Sequence, residues 1–323
     1  MRSNPRWDRV SSVTLGGMSQ PTYHPIRGGG YRAEVSTTGA SLIMFEHDTA
    51  AGVYPLVTEP TADRPPLPLA GSVCAPWPDG VRDGSFIFDG IEHQLVVTDP
   101  DRGTAPHGFT WHLNWNVLSH TESRVDLGVD VGMHTGWPYQ LRCAVAYEIG
   151  PWGLEVTHAA TNIGGYHAPF GMSSHLYLRA GEANLDECAL SLSAGTRLPL
   201  DRERSLPNAY TQTVSGTDFD FTAPSPLRDV HLDAAFSALD EDIDGRARHR
   251  LRGPDGRGVE LWTGSGFGWL RVITADLGEG CPRELVLSPA TCPPDAFNLG
   301  IDLIVLQPGQ TWNAQWGLTA IDV

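Results

Sequence analysis

Lysine is absent from the chain: all 22 basic residues among its 323 are arginine. Without lysine there is no Schiff base, so pyridoxal-phosphate chemistry and imine-forming aldolases are excluded. A phosphate-binding loop of the Walker type is excluded as well, because its lysine reaches the terminal phosphates. Positive charge of any kind is scarce. Against the 22 arginines stand 38 acidic residues, a formal net charge of -16. Nucleic acid and anionic membrane surfaces demand a basic face, so neither is expected as a partner. Long apolar runs are also lacking. None reaches the roughly 18 residues that a membrane helix needs. Residues 1–17 have no continuous apolar stretch and no small-residue cleavage site, so they read as a tail rather than a secretory signal, and Met18 is a plausible start.

Cysteine is sparse and scattered. Cys74, Cys143, Cys188, Cys281 and Cys292 form no CxxC pair, and their number is odd. They read as reduced thiols of a cytoplasmic protein, with neither a disulfide frame nor structural zinc. Helical periodicity is equally scarce, its best case being a short turn near Ala234 to Leu239. No Gly-x-Ser-x-Gly elbow supports a serine nucleophile. No His-x-His or His-x-x-x-His pair supports a metal site.

What is present is period-two alternation. Val125, Leu127, Val129 and Val131 alternate with polar residues or glycine. Leu141 to Ile149 and Trp312 to Ala320 do the same, each a half-buried strand with one face on a core. Asp89-Gly90 marks a hairpin between Phe86-Ile87-Phe88 and Leu95-Val96-Val97. Gly153 separates the strand ending near Ile149 from one beginning at Leu154. The arginines Arg246, Arg248, Arg250 and Arg252 alternate along what reads as an edge strand with a solvated face. Pro55 to Pro68 is proline-rich, more like a loop than a hinge. Glycine and proline, 36 and 25 residues, supply many turns. The expected architecture is all-β, a large antiparallel sandwich formed by residues 23–323 after a tail of residues 1–22.

Histidine is the main candidate for proton transfer near neutral pH. His107 precedes Gly108 in Ala105-Pro106-His107-Gly108, where glycine allows a special backbone angle or a close approach. On a strand, Ser173, His175 and Tyr177 share one polar face, suited to a hydroxylated ligand. Trp77, Trp111 and Trp137 lie in turn-rich segments and could stack on a sugar ring, although most tryptophans serve the core.

Taken in order, four stretches resemble the aldose 1-epimerase (mutarotase) family. They are Ala75-Pro76-Trp77-Pro78 with Arg82-Asp83-Gly84; His107-Gly108 with Trp111 and Trp115; Ala168-Pro169-Phe170-Gly171 with His175, Tyr177 and Arg179; and Pro289 through Asn298 with Pro308-Gly309. Leu232-Asp233, Phe236 and Phe267-Gly268-Trp269-Leu270 also fit. The resemblance implies a galactose mutarotase-like supersandwich with an open groove on one sheet. It implies a small carbohydrate-like ligand and no metal or organic cofactor. In such enzymes a carboxylate takes the anomeric proton and a histidine protonates the ring oxygen. His175 matches that general acid, His107 the second active-site histidine, and Asp233 the sugar-binding aspartate. Ser288, Tyr177 and Trp77 are further candidates to line the ligand.

Two expected residues are missing. The catalytic glutamate should precede Pro289, where the chain has Ser288. The sugar-binding arginine should stand in an Asn-Arg-Ile triplet after Pro78, where the chain has Asp79-Gly80-Val81. Asp79 is the obvious replacement base, a carboxylate expected to lack a cationic neighbour and so to have a raised pKa. The expected function is a divergent isomerase working by acid/base catalysis with a histidine pair. Alternatives are a non-catalytic carbohydrate-binding or regulatory protein, or a repurposed epimerase, lyase or cyclase. The oligomeric state is left open by the sequence.

Overall fold

The computed structural model describes residues 21–59, 67–278 and 281–322. Most of the expected tail, the possible start at Met18 and the centre of the proline-rich segment therefore lie outside the described residues. The rest is built almost wholly from antiparallel strands, as expected. A four-stranded sheet opens the chain, Tyr23–Gly28, Tyr31–Ser36, Leu42–Thr49 and Gly52–Pro55, in sequence order. Two larger sheets follow.

The nine-stranded sheet runs in the spatial order Asn116–His120, Arg124–Val131, Leu141–Gly150, Gly153–Asn162, Thr311–Ile321, Gly258–Gly264, Arg246–Arg252, Ala189–Leu192, Ser225–Pro226. Its alternation does what the sequence suggests. Val125, Leu127 and Val131 are buried, as are Val145, Tyr147, Leu261, Trp316 and Leu318. The opposite face carries ion pairs: Arg142 with Asp130 at 2.7 Å, Arg124 with Glu148 at 2.6 Å, and Arg250 with Glu260 at 2.7 Å. The Arg246–Arg252 strand is an interior strand and not an edge, since Ala189–Leu192 and Gly258–Gly264 flank it. Its arginines are nonetheless solvated, as the alternation implied. The hairpin at Asp89-Gly90 is tighter than expected, pairing Ser85–Phe88 with Ile91–Gln94 and leaving Leu95 to Val97 beyond it.

The eight-stranded sheet carries the site. Its order is Gln212–Thr213, Ala194–Leu198, Asp233–Leu239, Trp269–Ala275, Glu284–Ala290, Ser173–Ser174 and Val73–Cys74, with Leu176–Leu178 also paired to Glu284–Ala290. The segment expected as a helical turn, Ala234 to Leu239, is therefore a central strand. Its alternation explains why: Ala234 and Phe236 enter the shared core, while Asp233, Ala235 and Ser237 take the other face. Leu270, Val272, Leu285, Leu287, Leu176 and Leu178 join the same core beneath the nine-stranded sheet. The outer face of the eight-stranded sheet bears two small apolar clusters. Leu198, Ala235, Trp269 and Ala290 form one, and Leu67, Tyr177 and Val286 the other. Between them lies a polar row.

The five cysteines are free, and four are buried. Among the described residues no helix is long and apolar enough to cross a membrane.

Two histidines are sealed inside. His158 accepts from Trp316 Nε1 at 2.9 Å, and His249 Nδ1 accepts from the Ser193 amide at 3.3 Å. Burial pushes both down to about 3. They are neutral when folded and gain a proton on unfolding below about pH 6.5. Their contribution to stability is complete above that pH and is lost as pH falls towards 3. Each should remove about 1.4 kcal/mol of unfolding free energy per pH unit in that window. Urea unfolding at pH 7, 5.5 and 4.5 checks this, and equal stability at all three would contradict it.

Candidate active site

The polar row follows from strand register. Ala235 pairs with Arg271, and Arg271 pairs with Ser288. Ser173 opposite Ala290 and Leu176 opposite Leu287 set His175 opposite Ser288. Side chains two apart on a strand share a face, so Arg271, Ser288 and His175 project side by side from three neighbouring strands. Ser288 is 1% exposed and its Oγ lies 3.4 Å from His175 Nδ1. Asp233 stands one step along, opposite Ile273.

Asp79 and His107 come from loops. Both hold left-handed backbone, φ 47° and 66°. The His107 amide donates to the Asp79 carbonyl at 2.8 Å. Beside them a two-stranded ribbon pairs Gly80 with Pro106, Val81 with Ala105 and Arg82 with Thr104. Gly108 is also left-handed, and a Cβ there would sit 2.2 Å from the Ala75 carbonyl oxygen, so only glycine lets the chain pass. The special angle read from the sequence falls on both members of His107-Gly108. Asp295, 2% exposed, anchors the ribbon from the other side. Its carboxylate accepts from the Arg82 amide at 2.9 Å and from Arg82 Nε at 3.2 Å, and its own amide donates to the Gly80 carbonyl. Strained backbone of this kind persists where its surroundings over-determine it.

Asp79 does not lack a cation. Arg271 Nε donates to its Oδ1 at 3.1 Å, and the Arg271 Nη2 donates to Asp233 Oδ1. The guanidinium is almost completely buried, and Asp79 is largely covered as well. Ser205 Oγ also donates to Asp233. Arg271 is the residue that the sequence reading missed. A signal was available: an arginine inside the apolar run Trp269-Leu270-Arg271-Val272-Ile273 must be paired if the strand is buried.

Burial and these charges together set the titration of the site. Burial works against the Asp233 carboxylate, but Arg271 and the Ser205 hydroxyl outweigh it and hold the carboxyl below its usual range. Burial lowers His107, Asp79 opposes the shift, and Arg271 adds to it. His175 is pushed down to about 3, chiefly by burial, then by His107 and Arg271. Both rings are neutral at pH 7, with centroids 6.2 Å apart.

His107, His175, Asp79, Asp233 and Ser288 thus converge around one guanidinium. Trp77 does not join them. It is 4% exposed, donates its Nε1 to the Ala105 carbonyl at 2.9 Å, and packs among Phe109, Trp137 and Phe297. Trp137 lies in that same buried cluster, and Trp111 packs against His112 in a short turn. Tyr177 sits edge-on to His175 with centroids 5.6 Å apart, but its hydroxyl donates to the Pro68 carbonyl at 3.0 Å, so it buttresses the histidine. Among the described residues no group of three or more His, Cys, Asp or Glu side chains is arranged to hold a metal ion.

A model of the aldose 1-epimerase family matches residues 22–319. The chain belongs to the aldose 1-epimerase family. It is 29% identical over 284 residues to the uncharacterized protein YihR of Escherichia coli K12, covering 87% of this chain and 88% of that one. A second uncharacterized protein of the same bacterium, YphB, is 25% identical over 311 residues, or 92% and 98% of the two chains. Among solved structures, a homologue of this family from Caenorhabditis elegans superposes with a TM-score of 0.82 at 17% identity, covering 94% of this chain and all of its own. A galactose 1-epimerase from Lactobacillus acidophilus gives 0.72 at 18% identity over 90% and 92% of the two chains. These likenesses fix the fold as galactose mutarotase-like.

Arg271→Met should leave two carboxylates facing each other without their cation. Loss of one partner from a buried pair costs about 3–5 kcal/mol, and solvent at Asp233 should reduce this to about 2 kcal/mol. Urea midpoints of wild type and variant read it. An unchanged midpoint would show that the guanidinium is not holding the loop to the sheet.

Proposed function

We propose that this chain interconverts the anomers of a sugar or sugar-like hydroxylated molecule, with Asp79 as base and His175 as acid. The observation that carries the reading is the Arg271–Asp79 pair. The family resemblance calls for a carboxylate on the sheet at position 288 and an arginine on the loop at position 80. In this chain the arginine stands on the sheet, directly opposite position 288, and the carboxylate stands on the loop, directly before position 80. The pair is transposed, so a carboxylate is still available at the site beside two histidines.

The chemistry follows from these groups. Asp79 takes the proton of the anomeric hydroxyl, and its O–H electrons form the carbonyl at C1. The C1–O5 bond breaks, and O5 receives a proton from a neutral His175. The open-chain carbonyl rotates about C1–C2, and closure on its other face returns both protons. The Arg271 charge that disfavours an imidazolium also eases proton loss from the neutral ring, the pattern of a neutral imidazole acting as electrophile. His107 and Asp233 are placed to hold hydroxyls. Asp233 is the most exposed member and accepts hydrogen bonds as an anion.

A second reading, a sugar-binding protein without turnover, is favoured by one observation: Arg271 engages both carboxylates. Anomer exchange separates the two. Polarimetry or magnetisation-exchange NMR on freshly dissolved α-glucose, α-galactose and a wider aldose panel should show acceleration over buffer. Asp79→Asn should lower the rate at least about a hundredfold, the usual scale for removal of a general base. Because His175 is neutral throughout, the rate should be flat between pH 6 and 8, without a limb near the ordinary histidine value. A fully active Asp79→Asn protein would remove Asp79 as base. Calorimetric sugar binding with no exchange by the wild type would establish the binder.

A further inference from the structure

We propose that Ser288, aligned by Arg271, fixes His175 in the tautomer that carries its proton on Nε2, so that Nδ1 is the acceptor and Nε2–H is the donor to a ligand. Ser288 is then a positioning residue. The inference rests on the acid role given to His175 above, and it adds what makes that ring a donor.

The argument is one of hydrogen-bond inventory. Among the described residues, Ser288 Oγ has a single side-chain partner, His175 Nδ1 at 3.4 Å. Either atom could donate in isolation, because the hydroxyl rotates and a neutral imidazole has two tautomers. Arg271 decides between them. It stands directly across the strand pair from Ser288, with Cβ atoms about 5 Å apart as for any such pair. A guanidinium has donors only and cannot be deprotonated. If His175 Nδ1–H donated to Ser288, the serine proton would find no side-chain acceptor among the described residues, since the guanidinium across the strand pair has donors only. If Ser288 donates to Nδ1, its lone pairs are left free on the side of the guanidinium, whose Nη1 has no hydrogen-bond partner among the described residues. The second arrangement is favoured twice, by Coulomb attraction and by pairing at a site where Ser288 is 1% exposed.

Tyr177 closes the alternative route. Its ring lies edge-on to His175, and its hydroxyl is committed to Pro68, so it supplies no competing partner for the imidazole. Among the described residues, the groups that bond to His175, stack on it or act on its charge are Ser288, Arg271, His107 and Tyr177. None is a carboxylate, so no anion draws the proton to Nδ1. A hydroxyl at position 288 thus has a role of its own, distinct from that of the glutamate it replaces.

The test is long-range proton–nitrogen NMR on protein labelled with ¹⁵N in its histidine rings, with His175 assigned through His175→Gln. The wild type should show a pyridine-like Nδ1 and a pyrrole-like Nε2 from pH 8 to 5. Ser288→Ala should move both nitrogens towards averaged shifts. It should also lower kcat at least about tenfold with KM little changed, as for lost tautomer control. Ser288→Thr, which keeps the hydroxyl, should restore the wild-type pattern, and it stands in if the alanine variant does not fold. A wild-type ring protonated on Nδ1, or a ring spectrum unchanged in Ser288→Ala, would overturn the assignment. Absence of anomer exchange in a wild type with the expected ring spectrum would instead defeat the proposed activity and leave the tautomer assignment standing.

Discussion

A guanidinium almost completely buried on a sheet face is untenable alone, because a charge removed from water needs close opposite charge and filled hydrogen bonds. Arg271 meets the need for opposite charge by drawing Asp79 in from a loop and Asp233 from the next strand, while its Nη1 has no hydrogen-bond partner among the described residues. The consequences spread through the site. Asp79 carries His107 with it, since the backbone amide of one bonds the carbonyl of the other. Asp233 ties down the loop at Ser205, whose hydroxyl donates to it. The positive charge adds to burial in keeping both histidines neutral. It also orients the one hydroxyl between itself and His175. One side chain therefore helps to fix the position and polarity of its neighbours and reinforces the protonation that burial sets.

Much of the fold was legible because its signal is local. Alternation of large apolar and polar residues marks a strand with one wet face, and the strands Arg124–Val131, Leu141–Gly150 and Thr311–Ile321 follow it closely. The exceptions have tertiary causes. Asp233–Leu239 has three alanines, the best helix former, and core contacts on one strand face override that local preference. The Arg246–Arg252 strand looks like an edge because its charges alternate with alanine, histidine and leucine. It is interior because charge on a sheet's outer face says nothing about its lateral neighbours.

The site was legible in part, and the division is physical. His107, His175, Asp79, Asp233 and Ser288 were identified from motif positions, and the fold brings all five together. Which residue partners which could not be read, because pairing depends on register between strands far apart in the chain. Arg271 and Ser288 are 17 residues apart in sequence but directly opposed in the sheet. Asp79 reaches Arg271 across 192 residues. Trp77 shows the converse error. An aromatic residue in a turn-rich segment suits a ligand or a core equally, and only the packing of Phe109, Trp137 and Phe297 around it assigns it to the core.

The transposed ion pair has a mechanical cost and a visible compensation. A carboxylate on a central strand is positioned by the sheet itself, whereas one on a loop depends on whatever fixes that loop. Here the loop is fixed at several points. Arg271 grips the Asp79 side chain, the His107 amide grips its carbonyl, and Asp295 clamps the ribbon that follows through Gly80 and Arg82. The crossing at Gly108 leaves no room for a side chain. Gly80 is itself hemmed in, since a Cβ there would stand 3.0 Å from the Thr104 Cβ. Restoring the expected arginine at position 80 would therefore crowd the ribbon and place a second cation beside Arg271. Restoring a glutamate at position 288 would offer Arg271 a third carboxylate in competition with Asp79. The residues at positions 79, 80 and 288 thus fit with one another and with Arg271.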